Sequence, residues 1–224
     1  MQTMSRRSFL LASLGVASLC LAGCGSGASG AASTSASSAS AVPSSSASSC
    51  VTSASGEYAS GTHHATIEVE GYGAIKLELD ADVAPVTVAN FAKLAGEGFY
   101  DGLTFHRIIE GFMVQGGDPN GNGTGGSDEK IVGEFSDNGH PNSISHVRGT
   151  ISMARSQAYN SASSQFFIMQ ADTPSLDGQY AAFGHVTEGM GVVDAMCEAA
   201  RPTDNNGTIA AADQPRIASV KMDD

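Results

Sequence analysis

The sequence predicts a mainly β domain, built as a closed eight-stranded antiparallel barrel with two α-helices over its ends. Three observations lead to this fold class. Many short strand-like runs are separated by turn residues, which is typical of a closed antiparallel sheet. Helical spacing of apolar residues occurs in two segments of the predicted domain. The strand-like runs do not alternate with helices, so a parallel wound sheet is disfavoured.

The first predicted elements are a hairpin and a helix. Polar and apolar residues alternate over 66–70 and again over 74–80, which predicts two strands with one solvent-facing side. A helix is predicted to begin at Pro85, because proline fits the first helical position. Apolar residues then recur at helical spacing, at Val88, Phe91, Ala92 and Ala95. Gly96 or Gly98 is predicted to end the helix.

The next elements come from the stretch FHRIIEGFMVQGGD, residues 105–118. Its apolar residues predict two short strands around a turn at Glu110 and Gly111. The glycine-rich residues 120–126 predict a loop. The remaining strands are predicted at 150–154, 165–169, 181–186 and 217–221, and the second helix at 190–199.

The N-terminus has the pattern of an export signal. Arg6 and Arg7 precede an apolar run that is too short for a comfortable membrane-spanning helix, and small residues follow. SRRSFL resembles a twin-arginine signal, and LAGC resembles a lipoprotein processing box in which Cys24 carries lipid. The alternative is a plain secretory signal with an incidental cysteine. Residues 1–23 are therefore assigned to the signal, 24–60 to a disordered Ser/Ala/Gly-rich tether, and 61–224 to one domain.

The charge of the predicted domain limits its partners. Of the 11 Lys and Arg and the 23 Asp and Glu, two arginines and one glutamate precede residue 61, so the domain carries 9 positive and 22 negative side chains. A net charge of −13 disfavours nucleic acid and anionic lipid headgroups. The expected location is extracytoplasmic, with the membrane contacted through the lipid at Cys24. The domain is expected to act as a monomer.

Several common chemistries lack their signatures. The sequence contains no CxxC zinc spacing, no HExxH and no GxSxG, and its histidines have no ligand spacing. GNGTGG has the spacing of a dinucleotide-binding turn, but a strand-like Ile131-Val132 follows it instead of the helix that such a turn requires. A disulfide between Cys50 and Cys197 is possible outside the cytoplasm, although a free, buried Cys197 is favoured. No metal or cofactor is expected.

One constellation of residues remains. It consists of Arg107 and Gln115 together with a set of apolar residues. The apolar residues are Phe112, Met113, Phe166, Phe167, Leu176 and Tyr180. An unpaired guanidinium inside a barrel would be costly, so Arg107 is expected to point onto a concave apolar surface. An apolar surface with a few polar groups is a usual ligand site. The alternative is a core that contains one structural arginine.

The order of these blocks resembles the cyclophilin family of peptidyl-prolyl isomerases. The blocks are FHRIIEGFMVQGGD, GTGG at 123–126, ISMARS at 151–156, SSQFFI at 163–168 and LDGQYAAFG at 176–184, and the resemblance covers nearly all of 65–221. It implies an eight-stranded antiparallel barrel with two helices, which agrees with the elements predicted above. The form of the blocks is that of the bacterial branch.

The resemblance also implies roles for individual residues. Arg107 is the implied catalytic arginine, Gln115 holds the substrate carbonyl and Gln165 supports the arginine. The implied pocket for the proline ring consists of Phe112, Met113, Phe167 and Leu176. The edge for the peptide backbone is formed by Ala154, Arg155 and Ser156. Tyr180 stands where the family has histidine or tyrosine, and His106 is expected to be structural. Because Ser175 replaces a tryptophan of many members, cyclosporin binding is doubtful.

Three hypotheses about function follow. The first is a lipid-anchored peptidyl-prolyl cis-trans isomerase that assists the folding of exported proteins. The second is a chaperone or scaffold that binds proline-containing segments, with incidental turnover. The third is an unrelated activity on the same scaffold, since a fold does not determine a function. The presence of both Arg107 and Gln115 favours the first, because a binder would need only the pocket.

Overall fold

The structure is a computed structural model that describes residues 50–224. The predicted signal, Cys24 and the tether up to residue 49 lie outside the described residues. The strands and helices are β1 (Cys50–Val51), β2 (Thr62–Val69), β3 (Gly73–Asp80), α1 (Pro85–Gly96), β4 (Thr104–Ile109), β5 (Met113–Asp118), β6 (Lys130–Ile131), β7 (Thr150–Met153), β8 (Phe166–Met169), β9 (Ala182–Glu188), α2 (Met190–Ala199) and β10 (Ile217–Met222). Within the described residues, neither helix has the length and apolar character that a membrane crossing needs.

Eight of the strands form one antiparallel sheet in the order β10-β2-β3-β9-β7-β8-β5-β4. The mainly β class and the two helices are confirmed, but the closed barrel was wrong: the sheet is a curled half-barrel with edges at β4 and β10. The two edges meet only at their beginnings within the described chain: an isolated bridge pairs Thr104 with Arg216, and backbone hydrogen bonds join residues 102–105 to 215–217.

The barrel stays open because another segment occupies the outer edge of β4. The Ile108 N–H donates to the Gly207 carbonyl at 2.9 Å, and the Ile209 N–H donates to the His106 carbonyl at 3.0 Å. This approach requires glycine at position 207, since a Cβ there would lie 2.7 Å from the Ile108 carbonyl oxygen. The outer-edge groups of His106 and Ile108 are thereby used by the 207–209 loop, and near the β10 end of the edge only the Phe105 N–H, which donates to the Pro215 carbonyl at 2.9 Å, is paired from within β4 among the described residues.

The two faces of the sheet carry different apolar clusters. Side chains alternate along β8, so Phe166 and Ile168 lie in the main core while Phe167 and Met169 lie in a second, smaller cluster on the opposite face. The apolar residues predicted on one face of α1 are all buried in or against the main core. Phe166, which the sequence grouped with the candidate site, therefore belongs to the core.

The ordered domain begins before residue 61. Strand β1 pairs in parallel with β6, and the Val132 N–H donates to the Val51 carbonyl at 2.9 Å. Val51, Ala54 and Tyr58 pack against the main core. The predicted tether boundary at residue 60 is therefore too late, because a Ser/Ala/Gly-rich average concealed a few apolar residues that can be buried. Cys50 and Cys197 are both free, and burial raises the pKa of Cys197 to about 12.

The early start of the domain leads to a stability prediction. A chain beginning at residue 61 loses the β1–β6 pairing and the packing of Val51 and Tyr58. We expect it to melt about 3–10 °C below a chain beginning at residue 46, since each 1 kcal/mol corresponds to about 2–4 °C at this size. Thermal unfolding followed by circular dichroism measures the difference. Equal melting temperatures would mean that residues 50–60 contribute nothing to stability.

Candidate active site

A pocket of about 430 Å³ opens on the face of the sheet that carries the smaller apolar cluster. Nine of the residues assigned to the site by sequence line it: Arg107, Phe112, Met113, Gln115, Ala154, Arg155, Phe167, Leu176 and Tyr180. Ser156 and Gln165 line an adjoining pocket of about 260 Å³ instead.

The register of four neighbouring strands places the central residues in one row. Arg107 on β4 is opposite Gln115 on β5, Gln115 is opposite Phe167 on β8, and Phe167 is opposite Ser152 on β7. Directly opposed residues project on the same face of a sheet. The pocket floor is therefore built by strand pairing. Gln115 and Phe167 are 52 positions apart in the chain, yet they lie about one strand spacing from each other.

Two hydrogen bonds hold the Arg107 guanidinium at the rim of this pocket. Its Nε donates to the Asn206 carbonyl at 2.7 Å and its Nη1 donates to Gln115 Oε1 at 3.2 Å. No carboxylate forms an ion pair with Arg107 among residues 50–224. Partial burial lowers the pKa of Arg107, although Tyr180 and Asp204 oppose this shift. A guanidinium nevertheless remains charged at neutral pH.

Gln115 connects the arginine to the glycine-rich loop. Its Nε2 donates to Gln165 Oε1 at 2.9 Å, and Gln165 Nε2 in turn donates to the Gly125 carbonyl at 2.7 Å. In both side-chain amides, the oxygen accepts a hydrogen bond on the side of Arg107 and the nitrogen donates one on the opposite side. The orientation of both side chains is thereby fixed, and Gln165 supports Arg107 through Gln115 rather than directly.

One side of the pocket wall is apolar. Met113 and Phe167 are 1% and 5% exposed. These two pocket residues are therefore held in place by packing within the smaller apolar cluster. The Tyr180 ring meets the Phe167 ring edge-on, with centroids 5.7 Å apart. A small apolar ring that entered here would lose water from its own surface without requiring the pocket to rearrange.

Arg155 lines both pockets, but its guanidinium is held by the protein. Its Cζ lies 4.8–5.2 Å from the ring centroids of Tyr180, Tyr159 and Phe135. Its Nε donates to the Gln179 carbonyl at 2.9 Å. The side chain therefore ties the 176–180 wall to the loop after β7, and the expected peptide edge at 154–156 has a structural anchor in its middle.

This arrangement predicts a stability effect at Arg155. Replacing it by lysine removes the planar group that packs on three rings and donates in a fixed direction. We expect Arg155→Lys to lower the free energy of unfolding by about 1–2 kcal/mol. Urea unfolding measures this change, and Arg201→Lys at an exposed site is the matched control. Equal losses in both variants would contradict a specific role for the aromatic cage.

His106 contributes to the pocket lining although it is almost fully buried. It is 3% exposed, and neither ring nitrogen has a hydrogen-bond partner within the described residues. Burial lowers the pKa of His106, although Asp118 opposes the shift, so the ring is neutral at pH 7. It adds no second cation beside Arg107.

Sequence reasoning missed part of the pocket lining, namely Asn122, Gly123, Thr124, Asn206 and Thr208. The first three lie in the glycine-rich block, which the sequence identified as a loop without giving it a place in the site. The 206–208 segment carried no signal, because its position depends on covering the edge of β4. No cluster of metal-ligating side chains occurs in the described part of the chain.

Comparisons with known proteins agree with this geometry. The family model described as cyclophilin type peptidyl-prolyl cis-trans isomerase/CLD matches residues 64–222. A peptidyl-prolyl cis-trans isomerase of Synechococcus elongatus is 49% identical over 124 residues, which cover 55% of this chain and 80% of that protein. Peptidyl-prolyl cis-trans isomerase B of Bacillus subtilis is 50% identical over 116 residues, which cover 52% and 78%.

Solved structures show the same fold. A cyclophilin-type peptidyl-prolyl cis-trans isomerase of Cryptosporidium parvum superposes with a TM-score of 0.64 at 29% identity, covering 73% of this chain and 99% of that one. A second structure of that protein, determined in the presence of the dipeptide Ala-Pro, superposes with a TM-score of 0.63. The chain belongs to the cyclophilin family of peptidyl-prolyl cis-trans isomerases.

Proposed function

We propose that Arg107 and Gln115 catalyse the rotation of X-Pro bonds while the apolar pocket holds the proline ring. The observation that carries this proposal is the position of the Arg107 guanidinium, which two hydrogen bonds fix at the rim of a pocket with one apolar side. A dipeptide Ala-Pro was present in one of the related structures, and it has the chemistry that this pocket would accept.

The reaction needs a hydrogen-bond donor for a transient acceptor. Amide resonance opposes rotation with a barrier of about 18–20 kcal/mol. When the C–N bond twists, resonance is lost and the prolyl nitrogen becomes pyramidal, so its lone pair can accept a hydrogen bond. A donor aimed at that nitrogen binds the twisted bond better than either planar form, which is the requirement for catalysis. Arg107 suits this role because it stays charged and donates from a rigid fork.

The other residues hold the substrate on either side of the rotating bond. The ring is placed by Phe112, Met113, Phe167 and Leu176, and Tyr180 closes the wall. Gln115 holds the carbonyl that precedes proline, and the peptide backbone lies along 154–156. Such placement limits rotation to one bond and contributes to the rate through orientation. No covalent bond is broken in this scheme.

A protease-coupled assay of the full chain tests the proposal. Uncatalysed cis/trans isomerisation of an X-Pro bond takes roughly tens to hundreds of seconds. The protein should shorten this time for a tetrapeptide that contains Ala-Pro. A chain that bound this peptide and left the rate unchanged would contradict the catalytic proposal. That result would support the second hypothesis, a chaperone or scaffold for proline-containing segments.

We also propose that the enzyme is anchored outside the cytoplasm and acts on exported proteins. The support is the sequence: paired arginines, a short apolar run and LAGC with Cys24. Its partners are then proline-containing segments of those proteins and the membrane, reached through lipid, with no nucleic acid. The domain acts as a monomer, and weak cyclosporin binding follows from Ser175 in place of tryptophan.

Cys24→Ala tests the lipid anchor. We expect the substituted protein to move from the membrane fraction to the soluble fraction, because its thiol is the proposed site of lipid attachment. Fractionation of cells that produce either form, followed by immunoblotting, measures the distribution. Cys20→Ala is the matched control and should leave the protein with the membranes. Membrane retention of Cys24→Ala would contradict the processing-box assignment.

A further inference from the structure

A buried histidine outside the pocket links its floor to its wall. His146 and Ser152 are both fully buried, and neither lines the pocket. His146 Nδ1 lies 2.8 Å from Asp177 Oδ1, and its Nε2 lies 3.0 Å from Ser152 Oγ. The order Asp–His–Ser is that of a hydrolase triad, but Ser152 is 0% exposed and no substrate can reach its hydroxyl.

The hydrogen-bond directions in this group follow from Asp177. Partial burial would raise the pKa of Asp177, but hydrogen bonds from Ser145 and His146 outweigh it and lower the pKa. The carboxylate is therefore an acceptor only, so His146 Nδ1 carries the hydrogen and donates to it. Burial lowers the pKa of His146, and in the neutral ring Nε2 accepts from Ser152 Oγ.

The two ends of the hydrogen-bonded series Asp177–His146–Ser152 are attached to different parts of the pocket. Ser152 lies directly opposite Phe167, in the row that continues to Gln115 and Arg107. Asp177 follows Leu176 and accepts additional hydrogen bonds from the His146 N–H at 2.7 Å and from Ser145 Oγ at 2.5 Å. His146 therefore joins the sheet that forms the floor to the turn that carries the wall.

The imidazole also contacts the aromatic side chains of the pocket directly. Its ring is stacked on the Phe167 ring, with centroids 6.0 Å apart and planes 19° apart. The Tyr180 ring meets it edge-on at 6.4 Å. Phe167 thus has the pocket on one side and a hydrogen-bonded ring behind it, so a change in the orientation of His146 would be transmitted to both aromatic side chains.

We propose that His146 is a positioning residue, which holds Phe167 and the Leu176–Tyr180 wall at the spacing that a proline ring requires. The inference rests on the proposed function of the pocket. The pocket would hold the proline ring of the substrate equally well in the planar and in the twisted state. Loss of this spacing should therefore weaken the binding of both states to the same extent. It should raise KM and leave kcat nearly unchanged, whereas loss of Arg107 should lower kcat.

His146→Phe is the first test variant, because it keeps a ring behind Phe167 and removes both hydrogen bonds. We expect KM for an Ala-Pro tetrapeptide to rise about three- to tenfold, with kcat within about twofold of the wild-type value. The dissociation constant of the same peptide, measured by calorimetry, should rise by the same factor. His185→Phe on an exposed part of β9 is the matched control and should change neither value.

A second variant separates positioning from stability. His146→Phe leaves the Ser152 hydroxyl buried without its partner, which costs stability by itself. In His146→Phe/Ser152→Ala this hydroxyl is gone, so the melting temperature should partly recover while KM stays raised. If the single variant does not fold, the double variant and Asp177→Asn provide the measurements.

Three results would overturn the inference: an unchanged KM and dissociation constant in the folded variants, a fall in kcat at constant KM, or a KM that recovers together with the melting temperature. An inactive wild-type chain would contradict the proposed function instead. The calorimetric dissociation constants would then still decide whether His146 shapes the pocket, because they do not depend on turnover.

Discussion

Arg107→Ala is expected to lower kcat/KM for an Ala-Pro tetrapeptide by about ten- to a few hundredfold. A hydrogen bond from a charged donor contributes about 1.5–3 kcal/mol, and each 1.36 kcal/mol is about tenfold in rate. The loss should be in kcat, because the lone pair that Arg107 would meet exists only in the twisted bond. Binding of the planar substrate should change little, since the apolar wall remains intact.

Arg107→Lys separates the charge of the side chain from its geometry. Lysine keeps the cation but has no fork, so it cannot donate to Asn206 and Gln115 in the present directions. We expect its kcat to be close to that of the alanine variant rather than to that of the wild type. A lysine variant with full activity would mean that charge alone is sufficient.

The control for Arg107→Ala is a second arginine whose guanidinium also donates to backbone carbonyls. Arg201 is exposed and donates to carbonyls at the end of α2, away from the pocket lining. Arg201→Ala should keep the wild-type kcat and KM. The protease-coupled assay gives both constants, and circular dichroism checks that each variant is folded. Equal kcat in wild type and Arg107→Ala would contradict the catalytic assignment.

Local sequence patterns were sufficient to predict the helices and strands, but they did not reveal whether the sheet closes into a barrel. The helix at 190–199 has the bounds of α2, and Pro85 begins α1 as expected. Both follow from side-chain spacing within one segment. Whether β4 pairs with β10 depends instead on a competitor, the 207–209 loop, which takes up the backbone groups of β4. No pattern within β4 indicates which segment occupies its edge.

The candidate site shows the same division. Residues that strand alternation places on one face, such as Arg107, Gln115 and Phe167, were found from the sequence. Phe166 was grouped with them although it points into the core, because a run of apolar residues conceals which face each side chain takes. Asn206 was missed, since its carbonyl reaches Arg107 through a loop whose course is set by tertiary contacts.

The start of α1 shows a stabilising contact that sequence reasoning could not predict. Its N-cap is Ala84, which has no side-chain oxygen to accept from the first turn. The acceptors come from Glu134 instead: its carboxylate accepts from the Val86 N–H at 3.0 Å, the Thr87 N–H at 2.8 Å and Thr87 Oγ at 2.7 Å. Glu134 is 4% exposed, so these donors have no water to replace it.

Glu134→Ala is therefore expected to lower the free energy of unfolding by about 3–4 kcal/mol, among the largest losses for a single substitution. It leaves buried donors unsatisfied and removes a negative charge from the positive end of the helix dipole. Glu134→Gln keeps one acceptor oxygen without the charge and should lose about half as much. Urea unfolding measures both variants.

The control for this prediction is the other end of the same helix. Glu97 is exposed at the C-cap of α1, where a negative charge meets the negative end of the dipole. Glu97→Ala should change stability by less than about 0.5 kcal/mol. If Glu134→Ala and Glu97→Ala were equally stable, capping from a residue 48 positions away would contribute nothing, and α1 would depend on its buried apolar face alone.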